Sequence, residues 1–245
     1  SLLEPDAPQG IPPIGQPGLV WHPVGVYGQS YVPYPDEPYH LNTPHGIAAD
    51  GDTLWATELI GKRALQYSST GAFLAQIGHS MNGLPWVLAE IPHLCDVAVA
   101  ADRNVWLDFR GYPVKVNRAG ELIHSVSGGP GFAYSCLSLA VDGSDRLYIS
   151  DYQANRITVY DSGGNYLKTI GEGSDDPVTF HAPRGMAFAG NTMYVADTND
   201  DRILIFDISA FDHFRLTGQL QGYVANAQPD GFNRPSGVAA DASRL

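Results

Sequence analysis

Short apolar and aromatic runs of three to six residues, separated by polar turns, recur along most of the chain. The runs recur in groups and can be sorted by their place within each group. The first runs are 54–57, 105–107, 147–151 and 193–197; the second are 64–67, 114–116, 157–160 and 203–206; the third are 73–78, 122–126 and 166–171. β-branched and aromatic residues dominate these runs, which is typical of largely buried strands. Turns such as Asp50-Gly51 and Asp142-Gly143 supply the positive φ angles that tight hairpins need. The pattern therefore predicts antiparallel strands.

A further strand precedes each group of three and carries an internal repeat. The segment PHGIAAD at 44–50 recurs as PRGMAF at 183–188 and as PSGVAAD at 235–241, with weaker copies at 95–99 and 137–142. Ile47, Val97, Leu139, Met186 and Val238 form one column, with spacings of 50, 42, 47 and 52 residues. A period in this range, filled with four short strands, is typical of a radial β array. We therefore predict an all-β chain, a β-propeller of four-stranded antiparallel blades.

The turn between the second and third strands carries the motif Asp-x-x-x-Asn/Asp-Arg-Ile. It occurs as Asp151, Asn155 and Arg156, as Asp197, Asp201 and Arg202, and in diluted form as Glu58 and Arg63, whereas 109–113 forms a shorter turn. On these residues the chain resembles the NHL-repeat family, over roughly residues 41–245. The resemblance implies a propeller but leaves the function open, because the family includes RNA binders, protein-binding platforms, sensor domains and peptide-amidating lyases. We interpret the acid and the arginine as a structural ion pair that also binds turn amides.

The repeat also predicts how the chain is divided. We expect an extended N-terminal arm at 1–17 and a propeller at 18–245, with a closing strand at 18–28, blades at about 41–78, 91–128, 134–171 and 180–222, and a partial blade at 232–245. The first strand of the partial blade is predicted at 237–241. We expect six blades in the full protein, which would need roughly one and a half further blades of about 45 residues each. An open or five-bladed arrangement is the alternative.

Composition and charge narrow the range of partners. The chain has 26 acidic and 14 basic residues, a net charge of −12. Nucleic-acid binding requires clustered Lys and Arg, and no such run occurs, so we expect no nucleic-acid partner. No apolar stretch approaches the roughly 18 residues that would cross a membrane. The acidic composition favours an extracellular or periplasmic protein, and an N-terminal signal or anchor removed before Ser1 is compatible with this interpretation.

The two cysteines, Cys95 and Cys136, each lie just before the innermost strand of a blade, and the two blades are adjacent. Neighbouring inner strands converge towards the propeller axis, which brings a disulfide within reach. A disulfide would in turn indicate an oxidising compartment. The alternative is two unrelated buried thiols that act as small apolar residues.

The mouth of the central channel is the candidate chemical site. The residues just before the innermost strands form the column His45, Cys95, Leu137, Arg184 and Ser236. In the amidating-lyase branch, the resemblance implies several His ligands for a catalytic zinc at such positions. Here only His45 matches, His93 is displaced, and a catalytic zinc needs about three protein ligands. We therefore expect no metal or other cofactor.

Two functions remain open. The first is a non-enzymatic platform that docks a protein partner or a neighbouring subunit through its loops and its N-terminal segment. Tyr27, Tyr31, Tyr34 and Tyr39 favour it, because tyrosine is enriched in interfaces, although these rings could instead cover the closing blade. The second is a lyase or hydrolase that uses His45, His93 and Arg184 at the channel mouth.

Overall fold

A computed structural model describes residues 41, 43–51, 53–78, 93–133, 135–172, 178–220 and 232–240. Within these residues the chain forms sixteen β-strands and one short 3-10 helix, Thr198–Asp200. The predicted arm at 1–17, the closing strand at 18–28 and the four interface tyrosines lie outside the described residues.

The strands form four antiparallel sheets, each built from four consecutive strands. Blade 1 contains β1 (Pro44–Asp50), β2 (Thr53–Glu58), β3 (Arg63–Ser68) and β4 (Phe73–Gly78). Blade 2 contains β5 (Asp96–Val99), β6 (Val105–Asp108), β7 (Pro113–Val116) and β8 (Leu122–Ser125). Blade 3 contains β9 (Ser138–Val141), β10 (Leu147–Asp151), β11 (Arg156–Tyr160) and β12 (Tyr166–Ile170). Blade 4 contains β13 (Pro183–Ala189), β14 (Thr192–Asp197), β15 (Arg202–Asp207) and β16 (Arg215–Leu220).

The blades are arranged radially around their first strands. β1 contacts β5, β5 contacts β9, and β9 contacts β13, so the four inner strands stand side by side around an axis. The β-propeller architecture of four-stranded antiparallel blades predicted from the sequence is confirmed.

The hydrophobic core lies between blades. One cluster joins blades 1 and 2 around Trp55, a second joins blades 2 and 3 around Trp106, and a third joins blades 3 and 4 around Tyr148. Each of these three rings is fully buried. Strands β6, β7 and β10 have no exposed residue because each is covered by a neighbouring blade on both faces. This double burial explains why their sequences are mostly apolar on both faces, with Asp108, Lys115, Ser150 and Asp151 as buried polar exceptions.

A fifth inner segment lies beside blade 4. The Gly185 amide donates to the Ser236 carbonyl oxygen at 3.0 Å, and the Thr198 hydroxyl donates to the Pro235 carbonyl oxygen at 2.7 Å. The strand predicted at 237–241 is wrong for its described part, since residues 237–240 belong to no strand. Among the described residues no second strand of a fifth blade is present to pair with this segment.

Candidate functional site

The inner segments of all four blades, together with the fifth segment, enclose one cavity of about 340 Å³ at the channel mouth. Its polar lining residues are His45, Asp96, Ser138, Arg184 and Ser236. The predicted column is therefore correct for His45, Arg184 and Ser236. It is wrong for Cys95 and Leu137, which are fully buried. Asp96 and Ser138, one residue later in the sequence, line the cavity in their place.

A local difference in strand register explains this exchange. The pairing of β1 with β2 shifts between Pro44 and Ile47, and that of β13 with β14 shifts between Pro183 and Met186. The extra residue of a β-bulge changes the direction in which the side chain just before the regularly paired residues points. β5 and β9 pair with their neighbours without a shift, so their first ladder residues face the channel.

The two histidines of the predicted catalytic set occupy different places. The His45 Nδ1 atom hydrogen-bonds the Cys95 carbonyl oxygen at 2.9 Å, and the His93 Nδ1 atom hydrogen-bonds the Leu59 carbonyl oxygen at 3.0 Å. His45 and Arg184 line the cavity, whereas His93 is not among its lining residues. In the described part of the chain, no group of three or more His, Cys, Asp or Glu side chains is placed to hold a metal ion.

Two carboxyl groups that the sequence analysis did not single out lie at the inner end of blade 2. Asp96 and Asp108 are directly opposed across β5 and β6. Asp96 accepts the amides of Val97 and Leu139, each at 2.9 Å. Asp108 is fully buried and accepts the amides of Gly111 and Leu137, each at 2.8 Å. Each carboxylate therefore accepts one backbone amide of blade 2 and one amide from the first residues of blade 3.

Burial raises the pKa of both groups. Loss of hydration raises the pKa of Asp96 to about 7 and that of Asp108 to about 7, and in Asp108 the Asp96 charge adds to the effect. The backbone amides oppose this rise because they favour the charged form. The channel mouth thus contains a carboxyl group whose ionisation state changes near neutral pH.

This rise predicts a pH-dependent stability. In the folded state Asp108 holds its proton up to about pH 7, whereas in the unfolded chain it releases it near the ordinary value of 3.8. The stabilising contribution is therefore complete below that ordinary value and is lost as the pH rises through about 7. We expect Asp108 to lower the free energy of unfolding by about 2 kcal/mol between about pH 5.5 and about pH 8.5. Urea unfolding at both pH values tests this, with Asp108→Asn as the non-ionising comparison. An equal pH slope in the variant would contradict the assignment.

The repeat motif forms buried ion pairs in two blades. The Arg63 Nε atom donates to Glu58 at 2.6 Å in blade 1, and the Arg202 Nε atom donates to Asp197 at 2.8 Å in blade 4. Blade 3 departs from the interpretation. Arg156 pairs with Glu172 at 2.6 Å and donates to the Gly131 carbonyl oxygen, while Asp151 accepts backbone amides. The predicted Asp151–Arg156 pair is therefore wrong, because an acid just after β12 competes for the guanidinium.

The Asn/Asp position of the motif has a role that the sequence reasoning missed. Asn155 and Asp201 both adopt left-handed backbone conformations, with φ of 56° and 52°. The Asn155 side-chain oxygen accepts the Ala182 amide at 2.8 Å, and the Asp201 carboxylate accepts the Arg234 amide at 2.7 Å. Each bond joins the turn of one blade to the loop that leads into the next. The signal in the sequence was the Asn or Asp at this position of the motif, because these residues tolerate a left-handed backbone conformation.

Solved structures share the overall fold of this chain. The chain is similar to a protein of unknown function from Bacteroides thetaiotaomicron, with a TM-score of 0.59, 16% identity, and coverage of 80% of this chain and 53% of that one. It is also similar to virginiamycin B lyase from Staphylococcus aureus, with a TM-score of 0.56, 14% identity, and coverage of 85% and 62%. A gluconolactonase from Xanthomonas campestris gives a TM-score of 0.56, 18% identity, and coverage of 82% and 68%.

The chain is a β-propeller. At these identities the likeness shows the fold alone. The chain spans between about half and two-thirds of the length of the first solved structures that it matches, from 53% to 62%. No family model matches the sequence, and no curated protein matches it. Among the described residues of the propeller, none forms a helix long and apolar enough to cross a membrane.

A disulfide joins two blades of the propeller. Cys95 and Cys136 are bonded, with their Cα atoms 5.3 Å apart. Cys95 immediately precedes β5 and Cys136 lies two residues before β9, so the bond ties together the first residues of blades 2 and 3. The backbone carbonyl of Cys95 also accepts the bond from His45, which links blade 1 to the same point.

A second concave surface, which we call the interblade groove, lies between blades 2 and 3. It has a volume of about 490 Å³ and is bounded by the turn before β7, the end of β8 and the linker 128–133. Its aromatic and proline lining residues are Tyr112, Pro113, Pro130, Phe132 and Tyr160, and none of the described lining residues is charged. Tyr112 is 44% exposed. The Phe132 and Tyr160 ring centroids lie 6.2 Å apart.

Proposed function

We propose that this chain is an NHL-type propeller that acts outside the cytoplasm as a non-enzymatic protein-binding platform within an assembly. The interblade groove is the observation that carries the proposal. In a chain with a net charge of −12, it is a concave surface lined by aromatic, proline, glycine and small side chains without charge. Grooves of this composition suit extended, proline-rich segments, whose rigid backbone loses little entropy on docking.

We propose that the occupant is the proline-rich N-terminal segment of a neighbouring copy. Residues 1–40 contain nine of the 18 prolines of the chain, and five of these fall within 1–17. Proline restricts the backbone before binding and therefore lowers the entropy cost of docking. In this proposal Tyr27, Tyr31, Tyr34 and Tyr39 extend the contact beyond the groove.

Two further observations support a secreted or periplasmic binding protein over a metal-dependent lyase. The disulfide between Cys95 and Cys136 fits an oxidising compartment. Of the candidate zinc ligands His45 and His93, only His45 lines the channel cavity, and both bond backbone carbonyls.

The proposal is tested by the assembly state of the protein in solution. We expect deletion of residues 1–17, or the substitution Tyr112→Ser, to shift the sedimentation profile towards smaller species while the melting temperature stays nearly unchanged. Ile60→Ser is the matched control, because Ile60 lies in the corresponding turn of blade 1 and is 55% exposed. A synthetic peptide of residues 1–17 should bind the truncated protein, and Tyr112→Ser in the truncated protein should weaken that binding.

Two outcomes would overturn the docking role. A truncated protein that assembles as well as the full chain would show that the arm is not part of the contact. Unfolding of the truncated protein would show instead that the arm closes the ring of its own propeller.

A further inference from the structure

Among the described residues, the channel cavity combines an apolar wall with one cation, Arg184, that has no carboxylate partner. Arg184 lines it together with the hydroxyl residues Ser138 and Ser236. Ile47, Leu139, Met186 and Val238 supply the apolar part of the lining. Ile47 is 67% exposed, the largest value among the large hydrophobic residues that the structure describes. A ligand that covers an exposed isoleucine side chain removes apolar surface from water, and this burial favours binding.

Arg184 is held in place without a carboxylate partner. Its carbonyl oxygen accepts the Ser150 hydroxyl at 2.7 Å, and its guanidinium carbon lies 4.2 Å from the centre of the Tyr152 ring. In the described part of the chain no Asp or Glu lies within ion-pair distance of it, whereas Arg63, Arg146 and Arg202 are each paired with an acid. A guanidinium that is stacked and unpaired presents its donors in the planar arrangement that fits a carboxylate.

The other polar groups of the cavity are largely committed to the protein. Each Asp96 oxygen accepts a backbone amide, and the His45 Nδ1 atom is bonded to the Cys95 carbonyl oxygen. Burial raises the pKa of Asp96 to about 7, so below neutral pH this acid is largely uncharged and repels a bound anion little. Of the described residues that line the cavity, Arg184 is therefore the charged one that is available to a ligand.

We propose that the channel mouth binds a small monocarboxylic acid with an aliphatic chain. The ligand carboxylate pairs with Arg184, and its chain lies against Ile47 and Met186. The cavity of about 340 Å³ is at the lower end of the range of roughly 300–1,000 Å³ that is usual for small-molecule sites. This site is separate from the interblade groove and does not depend on the function proposed above.

Calorimetric titration of the full chain with three six-carbon probes tests the proposal. Hexanoate, hexanamide and hexylamine each contain six carbon atoms and carry an anionic, a neutral and a cationic head group, respectively. We expect saturable binding of hexanoate near pH 6, with at least about tenfold weaker binding of hexanamide and of hexylamine. Arg184→Gln should weaken hexanoate binding by a similar factor, and Arg184→Lys should retain part of it.

Arg118→Gln is the matched control, because Arg118 is an exposed arginine that pairs with Asp50 in the turn region away from the cavity. It should leave hexanoate binding unchanged. Equal hexanoate binding by wild type and a folded Arg184→Gln variant would overturn the proposal. Tighter binding of hexylamine would also overturn it, since Asp96 would then govern the site. Non-saturable uptake of all three probes would show binding to general apolar surface only.

Discussion

Arg63→Ala is expected to lower the free energy of unfolding by about 3–5 kcal/mol, because the substitution leaves a buried carboxylate without its counter-charge. The Arg63 side chain is 3% exposed and that of Glu58 is 0% exposed, with 2.6 Å between Nε and Oε2. Gly61 allows this close packing, since a Cβ atom at that position would lie 1.9 Å from the Glu58 carboxylate. Urea unfolding followed by circular dichroism measures the change.

Two other arginines are more exposed than Arg63, and their replacement by alanine is expected to lower the free energy of unfolding by less. Arg202 pairs with buried Asp197 but is 23% exposed, so Arg202→Ala should cost about 1–3 kcal/mol. Arg215 is 70% exposed in its pair with Asp207, so Arg215→Ala should cost less than about 1 kcal/mol. The double substitution Glu58→Leu and Arg63→Met should recover much of the lost stability. Equal effects of all three alanine substitutions would show that burial does not determine the strength of these pairs.

Removal of the disulfide by the double substitution Cys95→Ala and Cys136→Ala is expected to cost about 4 kcal/mol in the chain-entropy account. The bond closes a loop with a sequence separation of 41 residues that contains all four strands of blade 2, so its loss increases the conformational entropy of this segment in the unfolded chain. Chemical unfolding of the variant and of the oxidised wild type measures the difference. Replacing both cysteines also avoids a lone reactive thiol.

The same protein under reducing conditions provides the control for this prediction. Reduced wild type should unfold at nearly the same denaturant concentration as the double variant, because both lack the cross-link but keep the same blades. Two freely alkylatable thiols in the native, non-reduced protein would contradict the bond itself. An unchanged unfolding midpoint would contradict its proposed contribution.

The strands could be predicted from the sequence because the middle strands are largely buried on both faces and consist mostly of apolar residues. β10 (Leu147–Asp151), for example, is buried at every residue and coincides with the predicted run at 147–151. The Asp50-Gly51 turn could also be predicted, because Gly51 adopts a positive φ of 56°, which favours glycine.

The lining of the channel could be predicted only in part. The Pro-x-Gly segments of blades 1 and 4 coincide with a register shift, and His45 and Arg184 there face the cavity as expected. The first strands of blades 2 and 3 lack the Pro-x-Gly segment and pair with the second strands without a register shift. Asp96 and Ser138 therefore line the cavity in place of the predicted Cys95 and Leu137. A column aligned on hydrophobic residues alone carries no information about a bulge. The ion-pair partner of Arg156 was also missed, because Glu172 lies outside the repeat motif and comes close to Arg156 only in the folded blade.

The position of the core between blades has a consequence for how the molecule folds and how it can be divided. Each core cluster of the described residues is shared by two blades, and Asn155 and Asp201 each bond to the loop that leads into the following segment. Stability is therefore expected to follow a nearest-neighbour scheme, in which each blade gains its free energy from the two surfaces it shares. A fragment cut between two sheets would expose half of two cores. We therefore expect a single blade not to fold on its own, and we expect damage to one blade to destabilise first the neighbours that share its two surfaces.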